Sequence, residues 1–261
     1  MTDSEVAIAL VSAAAAIVRS RYGGNLGRVD KGAGDFATDA DVEAERAMLE
    51  ILRRSRPGDR IVAEESGISG PADAEREWLL NPLCGTLNYA ARMQVVAVNA
   101  ALRVRDRFVV AAVSDPFNDE VYWTDSAHAF VRSTGQDRRL EPSSSSRLVD
   151  LNLDPPFPSA PAFSAAVLAS RPEFIRQFKP RVVSSTMAVT WVATGQRAGY
   201  ITDGMASDKM VHFAAGLALC TAAGSIVTDL HGVPWKVGSM GLIIGADADT
   251  HRALLTLVTQ R

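Results

Sequence analysis

The strongest constraint on the fold is an alternation of helical and strand patterns in the C-terminal part of the chain. Helical stretches such as PEFIRQFK, TMAVTWVATGQ and ADTHRALLTLVTQ alternate with short apolar runs such as AGYITD, SIVTDL and GLIIGAD. This alternation is typical of α/β structure, in which helices cover a sheet. The C-terminal part is therefore predicted to be an α/β subdomain.

The N-terminal part has a different pattern, with helices first and then a series of strands. The stretch TDADVEAERAMLEILRRSRPG begins with Thr38 and Asp41 at capping-box spacing and ends at Pro57 and Gly58, which predicts a helix. Its inner face is predicted to carry Val42, Met48, Leu49 and Leu52. The runs MQVVAVNAALRV and RFVVAAVSD predict an antiparallel hairpin, which DEVYWT and HAFVRS extend as a meander.

A stretch rich in Ser and Pro separates the two patterns. It covers residues 133–162 and includes the run Ser143 to Ser146. Such composition is typical of domain boundaries. We predict an N-terminal α+β subdomain over residues 1–147 and a C-terminal α/β subdomain over residues 148–261.

Composition excludes several functional classes. The net charge of −3 provides no basic surface for nucleic acid or an anionic membrane, so the predicted partner is a small molecule. The two cysteines, Cys84 and Cys220, are too few for a disulfide framework, which favours the cytoplasm. The Ala-rich N-terminus is preceded by acidic residues, so it reads as a helix and not as a signal peptide.

The most informative local stretch is WLLNPLCGT, residues 78 to 86. An apolar strand pattern ends there in a turn that carries Asn81, Cys84, Gly85 and Thr86. Loops at the ends of buried strands are common places for functional sites.

Five segments in order carry a resemblance to a known family. They are DFATDADVEAE, IVAEESG, WLLNPLCGT, VSDPFNDEVYWT and FAAGLALCTAAGSIVTD. Together they resemble the inositol monophosphatase superfamily over nearly the whole chain. The resemblance implies a layered α-β-α-β-α sandwich, Mg²⁺-dependent hydrolysis of sugar phosphates, and a homodimer.

The resemblance also identifies the positions of the family's metal ligands. The matching residues in this chain are Asp41, Glu64, Asn81, Cys84, Thr86 and His212. Three family acids are replaced here, by Asn81, Cys84 and His212, so the site loses three formal negative charges. Thiolate and imidazole suit Zn²⁺ better than Mg²⁺. The expectation is a degenerate metal site with no cofactor, Mg²⁺ being disfavoured and Zn²⁺ conceivable only on Glu64, Cys84 and His212.

The replacements nevertheless provide groups that can do chemistry. Cys84 is a candidate nucleophile, His212 its base, and Asn81 a group that orients the imidazole or donates to an oxyanion. Further candidates for binding substrate or lining the cavity are Asp41, Glu64, Gly85, Thr86, Ser184 and Ser185. We therefore predict an enzyme that does not depend on a metal and performs acyl transfer, hydrolysis or cyclisation of a small metabolite.

Other interpretations stay open at this point. Cys84 could be a small core residue left by the loss of an ancestral activity, and Asp41 could serve only the helix cap. The alternative functions are a non-catalytic binding or regulatory protein, a sugar-phosphate phosphomonoesterase, and a Zn²⁺-dependent hydrolase.

Overall fold

Two compact units, each with its own sheet, make up the chain. The computed structural model describes residues 1–32, 35–155, 157–160, 162–203 and 210–260, and only the backbone of Asp35. The first unit comprises Met1–Arg139, Ser185–Met187 and Val211–Ala218. The second comprises Leu140–Ser184, Ala188–Met210 and Leu219–Arg261. The predicted boundary near residue 147 stays a prediction.

The first unit is built on a large, mainly antiparallel sheet. A small hairpin of β1 (Arg28–Gly32) and β2 (Asp35–Thr38) comes first in the chain. The eight strands of the large sheet are β3 (Arg60–Ala63), β4 (Gly67–Ser69), β5 (Arg76–Cys84), β6 (Ala97–Val104), β7 (Arg107–Asp115), β8 (Glu120–Thr124), β9 (Ala129–Ser133) and β10 (Gln136–Arg139). Their order across the sheet is β10-β9-β8-β7-β6-β5-β3-β4, and only β3 and β5 pair in parallel. The predicted hairpin and meander are confirmed.

Three helices precede or interrupt these strands. They are α1 (Asp3–Arg21), α2 (Asp39–Ser55) and α3 (Thr86–Ala90). The Ala-rich α1 packs against α2 and against β6 and β7. Small buried residues such as Ala7 and Ala14 permit this close packing, and Trp78 and Met48 fill the core between helices and sheet.

The inner face of α2 differs from the prediction at one residue. Met48 and Leu52 are fully buried as predicted, but Val42 is 48% exposed. The buried face continues through Asp41 and Glu45, which lie four and seven residues before Met48 and Leu52 with helical spacing. The apolar pattern missed it because two buried positions of this helix carry carboxylates.

The end of β5 carries an irregularity that shapes the site. Asn81 pairs with Asn99 on β6, and Cys84 pairs with Ala97, so β5 has one residue more than its partner over this interval. Pro82 lies inside it and has no N–H to donate to the ladder. The resulting bulge lies between Asn81 and Cys84.

The second unit has a five-stranded mixed sheet. Its strands are β11 (Leu148–Asn152), β12 (Lys179–Val182), β13 (Gly199–Thr202), β14 (Ile226–Thr228) and β15 (Leu242–Gly245), in the order β12-β11-β13-β15-β14. The pairs β12–β11 and β11–β13 are parallel and the others are antiparallel. Strand β11 lies in the Ser- and Pro-rich stretch, where the sequence predicted only a boundary.

Five helices complete the chain. They are α4 (Ala165–Ser170), α5 (Pro172–Gln177), α6 (Thr186–Ala193), α7 (Met210–Ala223) and α8 (Ala248–Thr259). The predicted start of α7 at Lys209 lies outside the described residues. Helix α8 packs on β15 and β13 in the second unit. None of the helices in the part of the chain that the structure describes is long and apolar enough to cross a membrane.

A buried histidine in the second unit predicts a pH-dependent stability. His251 of α8 has its Nε2 2.8 Å from Thr228 Oγ1, and burial lowers the pKa of this imidazole. The unfolded chain therefore binds the proton first, and the free energy of unfolding is expected to decrease as the pH falls below about 6.5. Urea unfolding at neutral pH and at about pH 5 measures this decrease.

Two variants separate His251 from the other titrating groups. His251→Gln should lose part of the pH dependence, whereas His231→Gln, at an exposed position, should keep all of it. An unchanged pH dependence in His251→Gln would contradict the assignment.

Candidate functional site

Asn81, at the start of the β5 bulge, makes two hydrogen bonds that fix its side chain. Its Oδ1 accepts the Leu83 N–H at 3.1 Å, and its Nδ2 lies 2.7 Å from His212 Nδ1. Since Oδ1 is already engaged with the backbone, the amide presents an N–H to the ring. The Asn81 side chain is fully buried, so this orientation has no competition from bulk water.

This orientation selects one tautomer of His212. With Nδ1 accepting from Asn81, a neutral imidazole carries its proton on Nε2. Nε2 lies 3.8 Å from Glu64 Oε1, and the two side chains are 30% and 15% exposed. The contact therefore favours His212 as a hydrogen-bond donor at Nε2 and disfavours the predicted role as a base at that atom.

Cys84, at the end of β5, is bonded to the first residue of α6. Its Sγ lies 3.2 Å from the Thr186 N–H and 3.0 Å from Thr186 Oγ1. The Cys84 carbonyl accepts from Ser185 Oγ at 3.4 Å. The thiol is thus buried against the N-terminal end of a helix, where partial positive charge collects.

Thr186 connects the thiol to the histidine segment. Its Oγ1 donates to the His212 backbone carbonyl at 2.6 Å and accepts from Asn99 Nδ2 at 2.9 Å. The same oxygen lies beside Cys84 Sγ. Cys84 and the backbone of His212 are therefore held by one hydroxyl group.

Asp41 and Thr86 form a second group within the first unit. Asp41 Oδ2 accepts from Thr38 N at 2.8 Å and Thr38 Oγ1 at 2.5 Å, and its Oδ1 accepts from Thr86 Oγ1 at 3.0 Å. Burial raises the pKa of this carboxyl, against the hydrogen bonds from Thr38 and Thr86. Gly85 precedes Thr86 with φ of 102°, a conformation that favours glycine, and lets the chain enter α3 directly after β5.

Two acids follow β3 and share one lysine. Lys31 Nζ lies 2.7 Å from Glu65 Oε1 and 3.8 Å from Glu64 Oε1. Burial raises the pKa of Glu65, and the Lys31 ammonium opposes that shift. The carboxylate that faces His212 therefore lies beside a fixed positive charge.

The two predicted serines have different surroundings. Ser185 belongs to the first unit with Cys84, and its Oγ also accepts the Met187 N–H at 3.2 Å. Ser184 belongs to the second unit, where its hydroxyl donates to Asp154. Only Ser185 contacts one of the other predicted site residues among these hydrogen bonds.

Two residues of this network were not predicted to belong to the site. Thr186 was recognised only as the start of a helix, and Asn99 was not singled out. Asn99 is a buried polar residue in the otherwise apolar run VVAVNAAL, and it pairs with Asn81 across the ladder. That interruption of the apolar run was the available signal.

The donor set does not fit Mg²⁺, the ion implied by the resemblance. Mg²⁺ requires hard oxygen ligands in a near-octahedral arrangement. The positions in question offer the Asn81 amide, the Cys84 thiol and the His212 imidazole, while both oxygens of Asp41 already accept hydrogen bonds. Among the described residues no group of three or more His, Cys, Asp or Glu side chains is arranged to hold a metal ion.

Comparison with known proteins identifies relatives over most of the chain. The model of the inositol monophosphatase family matches residues 2–261. The Nus factor SuhB of Escherichia coli K12 is 31% identical over 205 residues, which cover 77% of this chain and 74% of that protein. The inositol-1-monophosphatase of Caulobacter vibrioides is 26% identical over 234 residues, covering 86% and 88% of the two chains.

Solved structures confirm the predicted fold class. The suhB protein of Bartonella henselae superposes with a TM-score of 0.85 at 24% identity, covering 97% of this chain and 98% of the other. The inositol monophosphatase of Anabaena superposes with a TM-score of 0.80 at 25% identity, covering 98% and 96%. Mixed sheets with helices in a layered α/β fold are common to all three.

The same matches correct one prediction. The expectation of no cofactor, with Zn²⁺ conceivable and Mg²⁺ disfavoured, is wrong, because the matched family consists of Mg²⁺-dependent phosphatases. The prediction weighed three replaced side chains and gave too little weight to the similarity of the whole chain. With a family model matched from residue 2 to residue 261 and a relative at 31% identity, this chain belongs to the inositol monophosphatase family.

Proposed function

We propose that this chain is an enzyme that acts on a small metabolite through the Cys84 thiol and the His212 imidazole. The observation that carries the proposal is the 2.7 Å approach of Asn81 Nδ2 to His212 Nδ1. It holds a neutral ring with its proton on Nε2. A fixed N–H of this kind can stabilise the oxyanion that forms when a carbonyl is attacked.

The surroundings of Cys84 support its role as nucleophile. The thiolate is the reactive form of cysteine, and donors at a helix N-terminus stabilise it. Sγ lies within 3.2 Å of the N–H and the hydroxyl of Thr186, the first residue of α6. Because the residue is only 9% exposed, the substrate must be small enough to reach a buried sulfur.

These roles define a class of reaction. Attack of the thiolate on an acyl carbon would give a thioester, which water or a group of the same molecule then resolves, so the products are those of acyl transfer, hydrolysis or cyclisation. Residues proposed to line the site are Asp41, Glu64, Gly85, Thr86 and Ser185. We further propose a homodimer, as the family resemblance implies, which light scattering would test.

A second candidate is a regulatory protein that binds a ligand without chemistry. The name of the Escherichia coli relative, Nus factor SuhB, favours it, because that name describes a factor and not a reaction. The hydrogen bonds of Cys84 to Thr186 also suit a thiol that only packs. This candidate predicts ligand binding that survives replacement of Cys84 by Ser.

The test that separates the two candidates is alkylation of Cys84 at different pH values. We expect iodoacetamide to modify Cys84 well below pH 8.5, the usual pKa of a free thiol being about 8.5. Mass spectrometry of the modified peptides measures the rate for each cysteine. Cys220 is the internal reference, because burial raises the pKa of its thiol to about 12.

Two controls make the result decisive. Thr186→Val removes the hydroxyl beside Sγ at nearly constant volume, and it should slow alkylation of Cys84 and leave Cys220 unchanged. If Cys84 reacts only at alkaline pH in both proteins, the nucleophile proposal fails and the binding role is preferred.

A further inference from the structure

Glu45 is a buried carboxylate whose two oxygens both bind backbone amides next to the site. It lies on α2, is 2% exposed, and accepts the N–H of Glu65 at 2.7 Å and of Ser66 at 2.8 Å. Hydrogen bonds to an ionised acceptor are among the strong ones in proteins. This pair therefore ties the turn after β3 to helix α2.

The same turn is held from the opposite side by β5. The Glu64 N–H donates to the Leu80 carbonyl at 3.2 Å. Asn81, the next residue of β5, holds the His212 ring. The backbone of Glu64 and the imidazole of His212 thus share one support, and Glu45 supplies the other fixed point of the turn.

We propose that Glu45 is a positioning residue of the site: it fixes the backbone of residues 64–66 and thereby sets where the Glu64 carboxylate lies against His212 Nε2. The 3.8 Å between Glu64 Oε1 and His212 Nε2 depends on that backbone. Shifting the turn changes the partner of the Nε2–H. The inference rests on the proposed function only in giving this N–H a catalytic use.

Two substitutions at Glu45 separate position from charge. Glu45→Gln keeps the shape, but its amide nitrogen cannot accept, so one backbone N–H loses its partner. Glu45→Asp keeps the charge, but its side chain is one methylene shorter and cannot reach both amides. Glu43→Gln is the matched control, because it removes a carboxylate of the same helix whose partner is Arg21.

The experiment is nuclear magnetic resonance of the ligand-free protein at one neutral pH. We expect amide exchange of Glu65 and Ser66 to accelerate about tenfold or more in both Glu45 variants, as loss of a hydrogen bond implies. The imidazole ¹⁵N signals of His212 should shift in the same two variants and stay unchanged in Glu43→Gln.

Each contrary result overturns the inference. Faster amide exchange without a shift of the His212 signals would make Glu45 purely structural. A shift in Glu45→Gln alone would mean that its charge acts and its position does not. Neither result depends on substrate, so failure of the Cys84 proposal would leave this experiment readable.

Discussion

Cys84→Ala is expected to lower kcat/KM on a small thioester or activated ester by at least about a thousandfold, because removing a nucleophile removes the covalent route. Replacement by alanine leaves the Thr186 N–H without its sulfur partner but changes little volume. Cys220→Ala is the control, since that thiol contacts the Val189 carbonyl at 3.2 Å in the second unit and has no role in the proposed reaction. Assays with and without Mg²⁺ are needed, because the family depends on that ion.

Variants of His212 test the donor role specifically. His212→Ala should lower kcat by about a hundredfold to a thousandfold, the usual cost of one oxyanion donor. His212→Gln should retain more activity, because its amide can still present an N–H near the position of Nε2. Turnover of a phosphate monoester that requires Mg²⁺ and survives both Cys84→Ala and His212→Ala would contradict the proposed function.

Much of the fold could be predicted from the sequence, because period and punctuation are local. The capping box at Thr38 and Asp41 and the end of the helix before Pro57 are set by neighbouring residues, and α2 runs between them as predicted. The exposure of Val42 could not be predicted in the same way. Its face of α2 was decided by burial of Glu45, which depends on amides contributed by another segment.

The candidate site was predictable in membership and less so in geometry. Resemblance placed Asn81 and His212 close together, and they are in contact. The direction of the Asn81 amide depends on the Leu83 N–H, which is available because Pro82 bends β5. No sequence pattern reports such a bond, so the donor character of His212 required coordinates.

Arg197→Met is expected to reduce the free energy of unfolding by about 3 to 5 kcal/mol, since removing one partner of a buried ion pair leaves an uncompensated charge. Asp150 of β11 is fully buried, and Arg197 Nε lies 2.9 and 2.8 Å from its two oxygens. Urea unfolding followed by tryptophan fluorescence measures the loss. The double variant Arg197→Met/Asp150→Leu should recover most of it, because well-packed apolar residues can replace a buried pair.

The pH dependence of this loss identifies its cause. Arg197 also stacks on Trp191 at 4.6 Å, so lost packing is a competing explanation. Burial already raises the pKa of Asp150, and Arg197 opposes that shift, so without the arginine the folded state takes up a proton more readily than the unfolded chain. Stability of Arg197→Met relative to the parent should therefore improve as the pH falls from neutral toward about 4. A deficit that stays constant over this range would assign the loss to Trp191 packing and contradict the buried-charge account.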